Sequence, residues 1–536
     1  MAAHKPDSGP PRLTRINSQV PFQIATYQNN PARRHAKNKF ICALPALPDD
    51  ATLREKLSNQ PVIARDVLSL PKEVRLVELA TVDDVVIALD KHVDFARALI
   101  LNQIQGYEPR GPNTPDDIAY LRELYAEAGI SHFFSADESP DNVNELSFGL
   151  IGSAGSGKSF TTKSIVKLFP RAIYHKELRR WQLPCVRLEM VFDGKSRNTL
   201  ATELFIALDL ALPGANYFAT YVAKCKLNAE TRLYLALRFA REHGVGVIIV
   251  DEAQRQPGTT ADDEKEERYR KKRARSDPST ETPLLRLLVT ASNTAHIPLC
   301  ICGSTQALDL LGAGFSNVRR VMGRGSAIWG PLEPTFELGD PRRMGEFEHY
   351  MTELFKYQWI KTPLELNKGV LVHFWELSKG VPDVITKLFR AAQTSAIVDG
   401  GKAEVITPQL LDLVYRQQLL AGHLHLQQLA SANPEYKTLA KDTCHPSVTP
   451  LHLARVARAR RAAGIEPAEP KQGKSVKAAK ASATAHASKG ANGHSDAEDS
   501  YSSSDGGLYG GMLTTGAQAR AALVAGHNSA GAQKRE

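Results

Sequence analysis

The sequence predicts an α/β fold whose central parallel sheet carries helices on both faces, and three observations support this. Four short apolar runs, Leu146–Ile151, Val186–Val191, Val245–Val250 and Ile297–Cys302, alternate with long helical stretches. Strands joined by helical crossovers pair in parallel, and a parallel sheet buries both faces. The first run leads straight into a glycine-rich loop and then a helical stretch, Phe160–Phe169, while the third run ends on two carboxylates, Asp251 and Glu252.

The chain has 536 residues, and a single core seldom grows past about 250–300 before it divides. Residues 1–45 are rich in Pro, Asn, Arg and Lys and lack periodicity, which predicts an extended arm. Residues 46–140 read as a helical N-terminal module. There Leu79, Val82, Val86, Leu89 and Val93 recur at three- and four-residue spacing, and Pro115 opens a helix with acids in its first turn. The α/β core spans 141–335, interrupted by a charged insertion, Gln254 to Pro283, too polar to pack. Helical periodicity returns over 336–430, broken at Pro363 and at Gly380-Val381-Pro382, and predicts a small helical lid. Residues 431–536 drift to Ala, Ser, Gly and Lys, so most of this basic tail is expected to be disordered, with a basic helix around Leu451–Ala463.

Six cysteines are scattered without metal-ligand spacing, which suits buried thiols in a reducing compartment. Cys300 and Cys302 alternate within one run and should face the same side of a strand. No signal-peptide core and no membrane-length apolar run is present, so a cytoplasmic protein is expected. The formal charge is +9. Between Lys437 and Lys489 eleven Lys and Arg stand against three acids, so the excess is mostly a property of the tail.

Gly152-Ser153-Ala154-Gly155-Ser156-Gly157-Lys158-Ser159 fits the pattern G-x-x-x-x-G-K-S in the context it requires, after a strand and before a helix. Glycines let backbone N–H groups curl around the β- and γ-phosphates of ATP, the helix start adds positive potential out to Phe160, Lys158 bridges phosphates, and Ser159 can ligate Mg²⁺. Asp251 would hold Mg²⁺ through water, and Glu252 would orient or polarise the attacking water. Gly303-Ser304-Thr305 ends a strand expected between these two elements; Thr305 is the favoured donor to the γ-phosphate or water, a turn cap being the alternative. Arg319 and Arg320, with Arg324 behind, either reach a neighbouring subunit's ATP or form a solvated cluster.

The segments Gly244–Gln254 and Ile297–Ala307, the run Arg319-Arg320 with Gly323-Arg324-Gly325 and Ile328-Trp329, Leu354–Pro363 and Ser378–Leu388 together resemble the TnsC/TniB group of AAA+ regulators of DNA transposition, the TnsC branch most closely. Gly106-Tyr107-Glu108-Pro109-Arg110 is weakly similar to the family's segment before the core. The resemblance implies a P-loop AAA+ core that binds ATP and Mg²⁺. It also implies assembly as a homo-oligomeric ring or filament on double-stranded DNA, linking a target-selector protein to transposase subunits. By matching position, Lys158, Ser159, Asp251 and Glu252 serve the nucleotide, Thr305 is the sensor, and Arg319 or Arg320 acts in trans. The lid segment Gly380-Val381-Pro382-Asp383 lacks the arginine that many AAA+ proteins place there.

Lys195, Ser196 and Arg197 follow the second strand and open a helix, where each could bond DNA phosphates without reading sequence; an ordinary charged loop is the alternative. Two other functions share these motifs: a loader or initiator ATPase of replication or repair, and a signalling NTPase that does not bind DNA.

Overall fold

The computed structural model describes residues 20–28, 32–64, 66–125, 147–191, 196–254, 292, 295–305, 307, 325–340, 342–429 and 449–465. Among them the strands are β1 (Gln23–Ile24), β2 (Ser147–Gly152), β3 (Ile173–His175), β4 (Arg180–Gln182), β5 (Cys185–Glu189), β6 (Val247–Asp251), β7 (Leu299–Gly303) and β8 (Ala327–Trp329). Five of them form one all-parallel sheet in the order β5–β6–β7–β2–β8, and β1–β3–β4 form a smaller one. The four predicted strands are all present. At three residues β8 is too short to show a sequence pattern of its own, yet it pairs Leu150 with Ala327 and Gly152 with Trp329.

Alternation along the central strands sorts their side chains between two apolar clusters. Ile248, Val250, Leu299 and Ile301 enter one cluster, and Val247, Ile249, Cys300 and Cys302 enter the other. Both faces are therefore covered, and each fully buried aliphatic side chain contributes about 1.5–3 kcal/mol. Cys300 and Cys302 do share a face, with their sulfurs 3.7 Å apart.

Helices in the first part of the chain are α1 (Lys39–Cys42), α2 (Asp50–Leu57), α3 (Lys72–Glu78), α4 (Asp90–Tyr107) and α5 (Pro115–Tyr125). The arm expected over 1–45 is packed where it is described. β1 adds to β3, and Phe40, Ile41 and Cys42 are buried, because Asn38 caps α1 and turns its apolar residues inward. Helix α4 lies on the sheet, placing Phe95, Leu99 and Ile100 with Phe148, Leu150 and Val247. At its end the Tyr107 hydroxyl donates to the Gly244 carbonyl at 2.6 Å and Arg110 to the Val245 carbonyl at 2.7 Å, which fastens the chain just before β6.

The spacing from Leu79 to Val93 is not one helix. A 3-10 turn covers Leu79–Asp84, residues 85–89 run extended, and α4 then begins at Asp90. The consecutive Val85-Val86-Ile87 favours extended backbone, and Val86 bridges to Asn59. Alternation then divides this stretch: Val85, Ile87 and Leu89 join an apolar cluster shared with the C-terminal helices, whereas Ala88 joins the cluster on one face of the sheet.

The core adds α6 (Lys158–Val166), α7 (Arg197–Ala211) and α8 (Ala229–Glu242). The C-terminal helical region comprises α9 (Glu346–Leu354), α10 (Lys368–Ser378), α11 (Pro382–Asp399), α12 (Pro408–Val414) and α13 (His423–Leu429). Its apolar interior includes Trp359, Phe374, Leu388 and Phe389. The basic tail helix is α14 (Thr449–Ala462); Val456 and Ala459 pack on the same cluster and Arg460 pairs with Glu376 at 2.5 Å. The rest of the tail and most of the charged insertion lie outside the described residues.

Arg75 of α3 is 2 % exposed and Glu404 of the helical region 2 %. They form a two-bonded pair at 2.6 Å, and Arg75 also donates to the Trp359 carbonyl at 2.7 Å. Removing one member leaves the other charge buried and unpaired, which costs about 3–5 kcal/mol. Glu404→Ala should therefore lower chemical-denaturation stability by roughly 3 kcal/mol, and Arg75→Met with Glu404→Leu should restore most of it; a neutral single variant would remove this pair as the clasp.

Candidate nucleotide site

The phosphate loop connects β2 to α6. Gly152 closes β2 where β8 passes so near that a Cβ would lie 2.4 Å from the Trp329 carbonyl oxygen. Ser153 donates its N–H to that same carbonyl, and its own carbonyl accepts from the Ser156 hydroxyl at 2.8 Å. Gly157 has φ +88° and faces open space, a concavity that a side chain would fill. Helix α6 starts at Lys158 with no side-chain cap, so its first N–H groups point outward unsatisfied by any cap. Lys158 Nζ donates to the Gly152 carbonyl at 2.9 Å and the Ser153 carbonyl at 2.7 Å. Burial lowers its pKa, opposed by the charge of Asp251.

The sheet order brings the other elements alongside. β7 lies between β6 and β2, so the ends carrying Asp251, Ser304 with Thr305, and Gly152 are lateral neighbours. Asp251 is 2 % exposed. It accepts from Arg187 of β5 at 2.6 Å and from the Glu252 N–H at 2.9 Å. Glu252 stands at φ +55°, an uncommon conformation for a residue with a side chain. Its carboxylate accepts from Gln254 Nε2 at 2.7 Å, and Gln254 Oε1 accepts from the Ser304 N–H at 2.9 Å.

The hydroxyls of Ser153 and Ser304 are buried without hydrogen-bond partners. Such orphans cost about 1–3 kcal/mol each, which is consistent with a site built to receive a polar ligand. Ser159 and Asp251 offer hard oxygen donors of the kind Mg²⁺ takes alongside phosphate oxygens and water, so the residues present fit that ion. Among the described residues no cluster of three or more His, Cys, Asp or Glu forms a self-sufficient metal cage.

Beside the loop opens a cavity of about 380 Å³. Gly155, Ser156, Gly157, Phe160 and Thr161 form one wall, the extended 85–89 segment a second, and Tyr350 with Pro382, Asp383, Thr386, Lys387 and Arg390 of α11 a third. The α11 helix touches the loop directly, since a Cβ on Gly155 would lie 3.1 Å from the Asp383 Cβ. Asp383 pairs with Lys387 at 2.6 Å, and Arg390 pairs with Asp83 across the cavity. The walls are mostly apolar, with Val86, Phe160 and Tyr350 available to a flat ring.

Sequence reasoning missed Arg187, the bridging of Gln254 and this cavity, because each depends on strands or segments far apart in the chain. In the sequence Gln254 and Ser304 stand out only as members of longer motifs. Ser196 and Arg197 are placed: the Ser196 hydroxyl caps α7 by accepting from the Thr199 N–H, and Arg197 pairs with Glu230. Lys195, Arg319, Arg320 and Arg324 lie outside the described residues.

Comparison with known proteins agrees with this geometry. Residues 144–311 match the family model of an AAA domain. No curated protein matches the chain. A solved structure of Drosophila ORC bound to DNA aligns with 81 % of this chain and 90 % of that one at 12 % identity and a TM-score of 0.27. No described helix is long and apolar enough to cross a membrane.

Burial pushes His92, beside the cavity, down to about 3, and His243 and His296 each to about 4. The fold favours their neutral forms, so the stabilisation is complete above the unfolded value of 6.5 and is lost as pH falls toward 4. Thermal melts should show a midpoint that drops below pH 6.5, and His92→Asn should flatten part of that drop; a pH-independent midpoint would contradict the burial of these rings. The described strands β2, β6 and β7 stand side by side in one parallel sheet with a phosphate-binding loop at the end of β2, within the residues 144–311 that match the model of an AAA domain.

Proposed function

We propose that the chain is an ATPase that assembles on DNA and regulates transposition, linking a target selector to transposase subunits. The observation that carries the nucleotide part is the lateral order β6–β7–β2, which sets the Glu252 carboxylate and the Ser304–Thr305 turn beside the Lys158 loop. Backbone N–H groups at the start of α6 and Lys158 would hold the phosphates. The cavity walls of Val86, Phe160 and Tyr350 would take the base. Mg²⁺, when bound, neutralises charge on the phosphate oxygens, and Ser159 with Asp251 would hold it. Glu252 would accept or orient the proton of the attacking water, and Thr305 would donate to the γ-phosphate or that water. Arg319 or Arg320 would act across a subunit boundary.

The transposition part rests on the sequence resemblance that runs through about residues 140–430, carried by the segments from Gly244 to Leu388. The DNA part is supported by the basic charge of the chain, most of it in the tail, by the sequence run Lys195-Ser196-Arg197, and by the place of Ser196 and Arg197 at the start of α7. Contact through Lys and Arg to phosphate is independent of sequence and weakens with salt.

Electrophoretic shift and turnover assays test both parts. Lys158→Ala should abolish ATP-dependent assembly on DNA, and Glu252→Gln should hold an ATP-bound assembly with turnover reduced about 10²-fold or more. Unaltered turnover in Glu252→Gln would remove that residue from its role. Lys195→Ala with Arg197→Ala should lessen the salt slope of DNA affinity by about two counterions; an unchanged slope would put the DNA elsewhere. DNA association that ignores ATP, or none at all, would favour a nucleotide switch that acts on proteins alone.

A further inference from the structure

Strands β6 and β7 part company just beyond the sheet, and one side chain spans the gap. The last backbone bond between them runs from the Ala253 N–H to the Cys302 carbonyl at 2.9 Å. One residue further on, Gln254 replaces the ladder: its Oε1 accepts from the Ser304 N–H at 2.9 Å, while its Nε2 donates to Glu252 Oε2 at 2.7 Å. The approach is close enough that a Cβ on Gly303 would stand 2.8 Å from that Oε1. Glu252 meanwhile holds a left-handed backbone, φ +55°. A conformation of this kind costs about 1–3 kcal/mol and persists only where surrounding bonds over-determine it.

We infer that Gln254 is a positioning residue, which fixes the Glu252 carboxylate relative to the Ser304–Thr305 turn so that the two act on the nucleotide as one unit. The amide is suited to this because it carries an acceptor and a donor on one planar group. Glutamate of the same size could accept from Ser304 but could not donate to Glu252, and it would set two carboxylates against each other. Methionine of similar length could do neither. Gln254 donates to the carboxylate proposed above to orient the attacking water, and among the described residues no hydrogen bond ties it to the loop residues 152–159, so its effect falls on the rate of turnover rather than on nucleotide affinity.

This inference rests on the ATPase reading above, and the full-length chain tests it with steady-state ATP hydrolysis. Gln254→Met and Gln254→Glu should each lower kcat about tenfold or more while KM for ATP and the affinity for a fluorescent ATP analogue stay within about threefold. A cooperative thermal melt in each variant, with the Ser304 bond retained in Gln254→Glu, separates a lost position from a lost fold. In single-turnover measurements on Glu252→Gln, adding Gln254→Met should change the remaining rate less than about twofold, because the group it positions has already been altered. A Gln254→Met or Gln254→Glu enzyme that keeps kcat within twofold, a loss that appears in KM instead, or full additivity with Glu252→Gln would overturn the positioning role while leaving the ATPase reading intact. A parent protein that binds the ATP analogue without hydrolysing ATP would overturn both.

Discussion

The candidate site depends on one constraint, the insertion of β7 between β6 and β2. Only that lateral order sets the phosphate loop, the buried carboxylate of Asp251 and the Ser304–Thr305 turn at neighbouring strand ends. The order is in turn held by burial on both faces, since the alternate residues of β6 and β7 enter two separate apolar clusters. A register slip of one residue would exchange the two sets and expose neither to water, but it would displace Asp251 and Gln254 from their partners. The polar bonds at the strand ends therefore specify what the apolar core alone leaves open.

The N-terminal residues connect these parts. Helix α4 covers the sheet, α3 sends Arg75 to Glu404, and the extended 85–89 stretch divides its side chains between the two apolar clusters it separates. The cavity beside the phosphate loop is bounded by that stretch, by the loop and by α11, so a molecule seated there would touch all three. Any change in the angle of α11 would be felt at Gly155 through Asp383, and at Asp83 through Arg390.

Much of the core was legible because its signals are local. An apolar run before a glycine-rich loop, and another that ends in two acids, each state their structure within about ten residues. The helical expectation over Leu79–Val93 was different: three- and four-residue spacing arose there from a 3-10 turn, an extended run and a new helix in succession. Spacing reports which residues are buried and is indifferent to how the backbone between them travels. Residues 20–28 and 32–44 likewise pack against the small sheet although their composition reads as an arm, because β1 gains its partner from β3, about 150 residues away in the chain.

The sequence by itself determined the phosphate loop, the strand ending at Asp251-Glu252 and the placing of Cys300 and Cys302 on one face, since each follows from short-range pattern and backbone geometry. Tertiary structure alone decided that Arg187 pairs with Asp251, that Gln254 joins Glu252 to Ser304, and that residues 85–89 and α11 enclose a cavity beside the loop. Those contacts join residues brought together by strand order and by the docking of separate segments. Their bonding geometry is fixed by burial, which no local pattern encodes.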